Sequence, residues 1–137
     1  MIDQGGMMNP TAKLFLAIGS ISGALAVMVG AFGAHGLKDK LSEEMLTVYQ
    51  TGVQYQFYHT FALLAIGLVA LHFESRLLSA ASWAMVAGIV IFSGSLYALS
   101  LSGVRILGAI TPIGGLFFIA GWVLLALAVI KVVRPAL

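Results

Sequence analysis

The stretch "TGVQYQFYHTFALLAIGLVAL", residues 51–71, contains the two kinds of sequence on which the fold of this protein depends. Its first half is rich in glutamine, tyrosine and histidine, whereas the half that follows His59 is almost entirely aliphatic. A β-strand would alternate apolar and polar residues, and this stretch does not. The second half therefore indicates a helix in apolar surroundings, and the first half carries hydrogen-bonding groups that need partners there.

The composition of the whole chain identifies those surroundings as a membrane. Of its 137 residues, 61% are hydrophobic and only 9% are charged, whereas about a quarter of the residues in soluble domains are charged. The net charge of +2 and the absence of a basic stripe argue against nucleic acid as a partner. Cysteine is absent, which excludes disulfides, thiolate metal sites and cysteine nucleophiles.

Four apolar runs lie between the clusters of charge, and each is long enough to cross a bilayer as a helix. A helix needs about 20 residues to cross a hydrocarbon core of about 30 Å. We predict an all-α integral membrane four-helix bundle, formed by residues 1–137 as a single domain. Its spans lie at about 14–34, 53–73, 77–101 and 106–130. The first run is too long for a cleaved signal peptide and no A-x-A site follows it, so we expect it to be a span.

The connection between the first two spans, residues 35–52, is long enough to hold a helix of its own. Apolar residues recur in it at helical spacing, and Ser42 precedes two glutamates in a pattern typical of a helix start. We predict a short amphipathic helix at the membrane interface over about 42–51. Gly52 permits a bend between this helix and the second span.

The distribution of basic residues predicts the orientation in the membrane. With four spans, both termini lie on the same side, and that side collects one more basic residue than the other. Under the positive-inside rule, this excess predicts cytoplasmic termini. The two sets are Lys13, Arg76, Lys131 and Arg134 against Lys38, Lys40 and Arg105.

The polar half of the second span predicts a sheltered cluster of side chains. At 100° per residue, Gln54, Tyr55, Tyr58 and His59 share one arc of the helix, and residues four apart can hydrogen-bond. Only about 22 Å of helix follow His59 within the span, so this histidine lies inside the membrane. Because an unpaired polar group there costs several kcal/mol, we expect this arc to face other helices.

Two interpretations of this cluster remain open. In one, the tyrosines belong to an aromatic belt and His59 holds neighbouring helices together. In the other, His35 at the end of the first span joins the cluster from the same side of the membrane, and a functional polar pocket results. Gln56 and Thr60 point to the other side of the helix. The candidate pocket comprises His35, Gln54, Tyr55, Tyr58 and His59.

The sequence contains no recognisable catalytic set. All five acidic residues lie in predicted tails and loops, which also disfavours a proton-coupled transporter. His35 and His59 are the only two histidines predicted on one side, and no carboxylate or cysteine completes a site around them. We therefore predict no enzyme activity, no metal and no other cofactor.

Small residues and one proline predict where the helices pack. Gly19 and Gly23 form a GxxxG motif in the first span, and small residues continue it at four-residue steps. Pro112 is expected to kink the fourth span, with Gly115 on the same packing face. Serines in the third span either hydrogen-bond across a packed interface or line a polar path. The predicted packing residues are Gly19, Gly23, Gly30, Gly33, Pro112 and Gly115.

Two segments, "GAFGAHGL" (residues 30–37) and "YQTGVQYQFYHTFALL" (residues 49–64), resemble a family of small four-span membrane proteins. These are the YgdD/YwdK-like bacterial proteins, a domain-of-unknown-function family with eukaryotic transmembrane relatives. The resemblance runs from about Lys13 to the C-terminus. It implies a location in the bacterial inner (plasma) membrane and supplies no activity. It also implies that the common role resides in the signature residues Gly33, His35, Gln54, Tyr55, Tyr58 and His59.

Two functional hypotheses follow from these observations. In the first, the chain is a non-enzymatic accessory, assembly or interaction protein that acts through helix contacts, as a homo-oligomer or in a larger membrane complex. In the alternative, it binds a small molecule (a quinone or lipid) in the candidate pocket, or transports one as an oligomer. The lipid bilayer surrounds the protein in both.

Overall fold

A computed structural model describes residues 8–132, and the regular structure of this part of the chain is helical throughout. The predicted all-α class is therefore confirmed. A π-helical turn, Ile89–Ser93, joins the third and fourth helices, and a 3₁₀ turn, Arg105–Ala109, precedes the fifth. The five helices are α1 (Pro10–His35), α2 (Glu43–Ala70), α3 (Arg76–Gly88), α4 (Gly94–Ser102) and α5 (Thr111–Val132).

Polar side chains and one glycine define the helix ends. The side chain of Asn9 accepts hydrogen bonds at the start of α1, Ser42 does so at the start of α2, and Ser75 at the start of α3. These residues satisfy backbone N–H groups that have no partner inside the helix. Gly103 ends α4 with φ of 71°, a left-handed conformation that glycine adopts without strain. The start of α2 at Ser42 agrees with the capping pattern in the sequence.

Three helical stretches of the described chain are long and apolar enough to cross a membrane. They are Pro10–His35, Arg76–Ser102 and Arg105–Val132. α2 has a comparable length, 28 residues, but the glutamines, tyrosines and histidine of its first half lower its apolarity. α2 is thus the most polar of the four long helical stretches.

The predicted break between an interfacial helix and the second span is wrong. α2 is a single helix from Glu43 to Ala70 and passes through Gly52 without interruption. Gly52 serves close packing instead of a bend, because a Cβ atom on it would lie only 2.8 Å from the ring of Tyr97. The backbone of α2 therefore approaches α4 more closely than any larger residue would allow.

α1 and α2 pack antiparallel along most of their length. The glycines of α1 face α2, with Gly33 against Tyr49 and Gly19 against Leu64. In each contact the residue numbers from α1 and α2 add up to about 83, as expected for antiparallel helices in a fixed register. This register shows which residues of α1 and α2 lie at the same height. Gly23 and Gly30, also predicted to pack, fit the same register. The small residues let the two backbones approach closely, as is common between membrane helices.

The packing of α5 differs from the prediction. Pro112 is exposed in the first turn of α5, just after the chain passes from a 3₁₀ turn into α-helix. Proline is well accommodated there, where its missing N–H would have had no partner. The buried face carries Gly114, while Gly115 is only partly buried. A Cβ on Gly114 would overlap the backbone of Phe92.

Candidate functional site

The structure brings together three of the five residues of the candidate pocket, because the ring of Tyr55 lies 5.8 Å from that of Tyr58 and 6.1 Å from that of His59. His35 and Gln54 are exposed, and so are Tyr55 and Tyr58, which retain 36% and 50% of their accessible surface. Only His59 is buried, at 5%. The expectation that this arc of α2 is sheltered by other helices therefore holds for His59 and in part for Tyr55, whose ring stacks on that of Phe92 with centroids 4.6 Å apart.

The two histidines of the candidate pocket also lie far apart. The α1–α2 register places His35 level with about residue 47 of α2, because Gly33 lies against Tyr49. His59 is about twelve residues further along, which corresponds to about 18 Å of helix. Both imidazoles are then too distant to bind one metal ion, whose nitrogen ligands lie about 2 Å from it.

The buried polar face of α2 is the opposite one. Gln56 and Thr60 retain 6% and 2% of their accessible surface, and α1 packs on this side through its glycine face. The sequence showed two polar arcs on α2, and the choice between them depended on where α1 lies. Contacts between helices set that position, and the residue pattern within α2 gives no information about them.

Gln56 is the centre of a hydrogen-bonded group that links three helices. Its Nε2 donates to the backbone oxygen of Ser22 in α1 over 3.0 Å, and its Oε1 accepts from the hydroxyl of Tyr97 in α4 over 2.7 Å. The hydroxyls of Ser22 and Thr60 hydrogen-bond each other at 2.7 Å. We call Ser22, Gln56, Thr60 and Tyr97 the polar core network. Sequence reasoning missed it, although Gln56 and Thr60 at i,i+4 were a visible signal.

Two further hydrogen bonds extend the contacts around this network. The Tyr49 hydroxyl donates to the backbone oxygen of Val29 over 2.6 Å, and the ring of Tyr49 lies 5.2 Å from that of Tyr97. The Ser93 hydroxyl donates to the backbone oxygen of Gly52 over 2.7 Å. Within residues 8–132, every buried side-chain nitrogen or oxygen has a hydrogen-bond partner. The interior between α1, α2 and α4 is therefore polar but fully satisfied.

His59 uses one ring nitrogen within α2 and the other to bind α5. Nδ1 lies 2.7 Å from the backbone oxygen of Tyr55, and the indole nitrogen of Trp122 donates to Nε2 over 3.2 Å. A carbonyl only accepts and an indole N–H only donates, so Nδ1 carries the proton and the ring is neutral. The ring of Phe118 stacks on the imidazole with centroids 3.4 Å apart. This arrangement holds two helices together and leaves neither nitrogen available to a ligand.

The buried serines of the third span form both local and inter-helix hydrogen bonds. Ser82 and Ser100 donate to backbone oxygens of their own helix. Ser93 donates to the backbone oxygen of Gly52 in α2, and Ser95 bonds to the hydroxyl of Thr111 in α5 at 2.7 Å. All four are buried. Of the two interpretations offered by the sequence, these bonds match a packed interface rather than a polar path.

The outward face of α2 carries a regular row of residues, which we call the outer stripe. Its members follow each other at alternating steps of four and three residues, opposite to Gln56 on the helix. All of them are exposed except Thr51, which is partly buried. The first half can hydrogen-bond, and the second half is apolar. The outer stripe consists of Thr47, Thr51, Gln54, Tyr58, Phe61, Ala65 and Leu68.

Two of the surface depressions that adjoin these helices differ in polarity. One of about 380 Å³ is lined by Thr47, Gln50, Thr51 and Gln54, on the polar half of the outer stripe. The other, about 230 Å³, is a groove between α1 and α3. Its walls are aliphatic, and Ser22 and Gln56 are the polar residues that line it. The first depression is therefore polar and the second is almost wholly apolar.

Comparison with known proteins confirms the resemblance found in the sequence. Residues 29–115 match the profile of a family described as "Protein of unknown function (DUF423)". A "UPF0382 membrane protein" of Staphylococcus epidermidis is 50% identical over 119 residues, which cover 87% of this chain and 97% of the relative. The "UPF0382 membrane protein YwdK" of Bacillus subtilis is 47% identical over 120 residues, or 87% and 98% of the two chains. No solved structure matches this chain.

Proposed function

The chain belongs to the DUF423 family of proteins of unknown function. On this premise, we propose that it is a non-enzymatic membrane protein with four spans. We propose that it acts by binding other transmembrane helices. Its relatives are named membrane proteins. α2, the fourth span of this proposal, is about 42 Å long at 1.5 Å per residue. It runs beside α1 in register from Gly33–Tyr49 to Gly19–Leu64. A membrane crossed by α1 would therefore be crossed by α2 as well.

The outer stripe is the observation that carries this proposal. Gln54 and Tyr58 face away from the protein and make no hydrogen bond to any other residue in 8–132, whereas Gln56 and Tyr49 bond to other helices. In the register with α1, Gln54 lies about 9 Å from the middle of that helix. It would then lie inside the hydrocarbon core, where an unpaired amide costs several kcal/mol. A partner helix would supply the missing hydrogen bonds.

We further propose that the protein lies in the bacterial plasma membrane with both termini in the cytoplasm. Lys13, Arg76 and Lys131 lie at the helix ends of that side, and Arg134 lies outside the described residues. A reporter that is active only in the cytoplasm, fused after Leu137, should be active. Fused within the turn before Arg105, it should be inactive. The opposite pattern would contradict this orientation.

Photo-crosslinking in cells tests the proposed helix binding. A benzophenone amino acid in place of Tyr58, which is 50% exposed, should give a protein adduct of defined mass. The matched control is Ile119 in α5, which is 62% exposed and should give no such adduct. Equal labelling at the two positions, or no protein adduct at Tyr58, would overturn the proposal.

The groove between α1 and α3 supports a second candidate, a small-molecule binder. An amide nitrogen carries two N–H groups, and Gln56 uses one of them on Ser22. The other is free to donate to a carbonyl on a largely apolar molecule in the groove. Mass spectrometry of the purified protein should then find such a molecule. Val86→Phe, which fills the groove, should remove it, whereas Val123→Phe on α5 should not. This second candidate function is wrong if the purified native protein and the Val123→Phe variant both lack such a molecule.

A further inference from the structure

We infer that the partner of the outer stripe is a second copy of this chain, packed about a two-fold axis perpendicular to the membrane. This inference rests on the proposed function and names its partner. The length of the stripe, its order of residue types and its shape all favour a second copy. The experiment below separates its failure from that of the proposed function.

The outer stripe is long enough for a second helix to follow it. Its steps of four and three residues from Thr47 to Leu68 trace one face of α2. The stripe extends over about 32 Å at 1.5 Å per residue. That length equals the hydrocarbon thickness of a typical bilayer, about 30 Å. A second helix can therefore follow the stripe across the whole membrane.

The residue types of the outer stripe are compatible with those of a second copy that runs parallel to it. Copies inserted in one membrane share one orientation, so a two-fold axis along the membrane normal places each residue opposite its own copy. Gln54 then faces Gln54, and an amide has both the donor and the acceptor that such a pair needs. Apolar Phe61 and Leu68 face their own copies in the same way. A partner running in the opposite direction would instead set the apolar half against the amide.

The shape of the surface permits close approach. Ala65 is small, and the depression of about 380 Å³ beside Gln54 offers space for side chains of the partner. No member of the stripe is charged, so nothing in it repels a second copy. Glu43, one turn before Thr47, lies on the same face at the helix start, where water and salt screen charge.

Disulfide cross-linking in native membranes tests the identity of the partner. The chain contains no cysteine, so one introduced cysteine reports without interference. Ala65→Cys on the outer stripe should give a disulfide-linked homodimer on mild oxidation. The matched control is Ala17→Cys in α1, which is exposed and lies at the same height, and which should remain monomeric. Equal cross-linking of the two variants, or none at Ala65→Cys, would overturn the dimer.

The glutamine pair has a separate readout. Energy transfer between labelled copies in lipid vesicles should show that Gln54→Leu weakens self-association about tenfold, which corresponds to about 1.4 kcal/mol. Gln54→Asn, which keeps an amide, should retain most of the association. Unchanged helix content would show that both variants fold. If Gln54→Leu associates as strongly as the native chain, the inference is wrong.

The photo-crosslink at Tyr58 distinguishes the two levels of proposal. An adduct with twice the mass of the chain supports both the helix-binding function and the dimer. An adduct with a different protein leaves the function in place and overturns the dimer. Absence of any protein adduct overturns both.

Discussion

The two faces of α2 carry similar residues and have opposite surroundings. The inner face presents Gln56 and Thr60, which are buried and bonded to α1 and α4. The outer stripe presents Gln54 and Tyr58, which are exposed. Gln54 and Gln56 are two residues apart, so residue type does not separate them. The position of α1 separates them, because α1 covers Gln56 and leaves Gln54 exposed. The role of a polar residue in a membrane helix therefore depends on which neighbouring helix covers it.

Replacement of a small residue by leucine should show the largest difference in stability between the two faces. Gly52→Leu on the inner face would drive a side chain into Tyr97, since even a Cβ would lie 2.8 Å from its ring. We expect a loss of about 3 kcal/mol in the free energy of unfolding in mild detergent. Ala65→Leu on the exposed outer stripe should leave monomer stability within about 0.5 kcal/mol. Equal losses would mean that the two faces are equivalent.

The glutamines should differ by a smaller amount. Gln56→Leu would leave the Tyr97 hydroxyl and the Ser22 backbone oxygen without their side-chain partner. We expect unfolding free energy to fall by about 2 kcal/mol. Gln54→Leu should leave monomer stability unchanged and act only on association. The comparison requires denaturation of both variants under conditions in which the native chain is monomeric. A larger loss for Gln54→Leu would reverse the assignment of inner and outer faces.

His59 tests whether a buried histidine here has a structural or a ligand-binding role. His59→Phe would retain stacking on Phe118 but remove the acceptor for the Trp122 indole. We expect a loss of about 1 kcal/mol in unfolding free energy and a shift in the Trp122 fluorescence emission. Trp122→Phe, which removes the same hydrogen bond from the other side, should cost a similar amount. Loss of a bound molecule without loss of stability would instead favour a ligand site.

The sequence predicted those parts of the molecule that depend on local pattern. Helix existence, the cap at Ser42 and the glycine face of α1 all follow from neighbours within one segment. The candidate pocket joined His35 to His59 by membrane side alone. The α1–α2 register separates them, and registers between helices arise from packing. The bond from Trp122 to His59 spans 63 residues, a contact that no periodicity within a segment contains.

The smallest expected effect comes from Ser22, at the edge of the inner face. Its hydroxyl bonds to Thr60, whereas Gln56 bonds to its backbone oxygen. Ser22→Ala removes only the hydroxyl contact, so we expect a loss of about 0.6 kcal/mol, typical of a hydrogen bond between membrane helices. Thr60→Val should cost a similar amount, and the double variant should cost less than the sum, since both lose the same bond. Fully additive losses would mean that the Ser22–Thr60 bond does not stabilise the inner face.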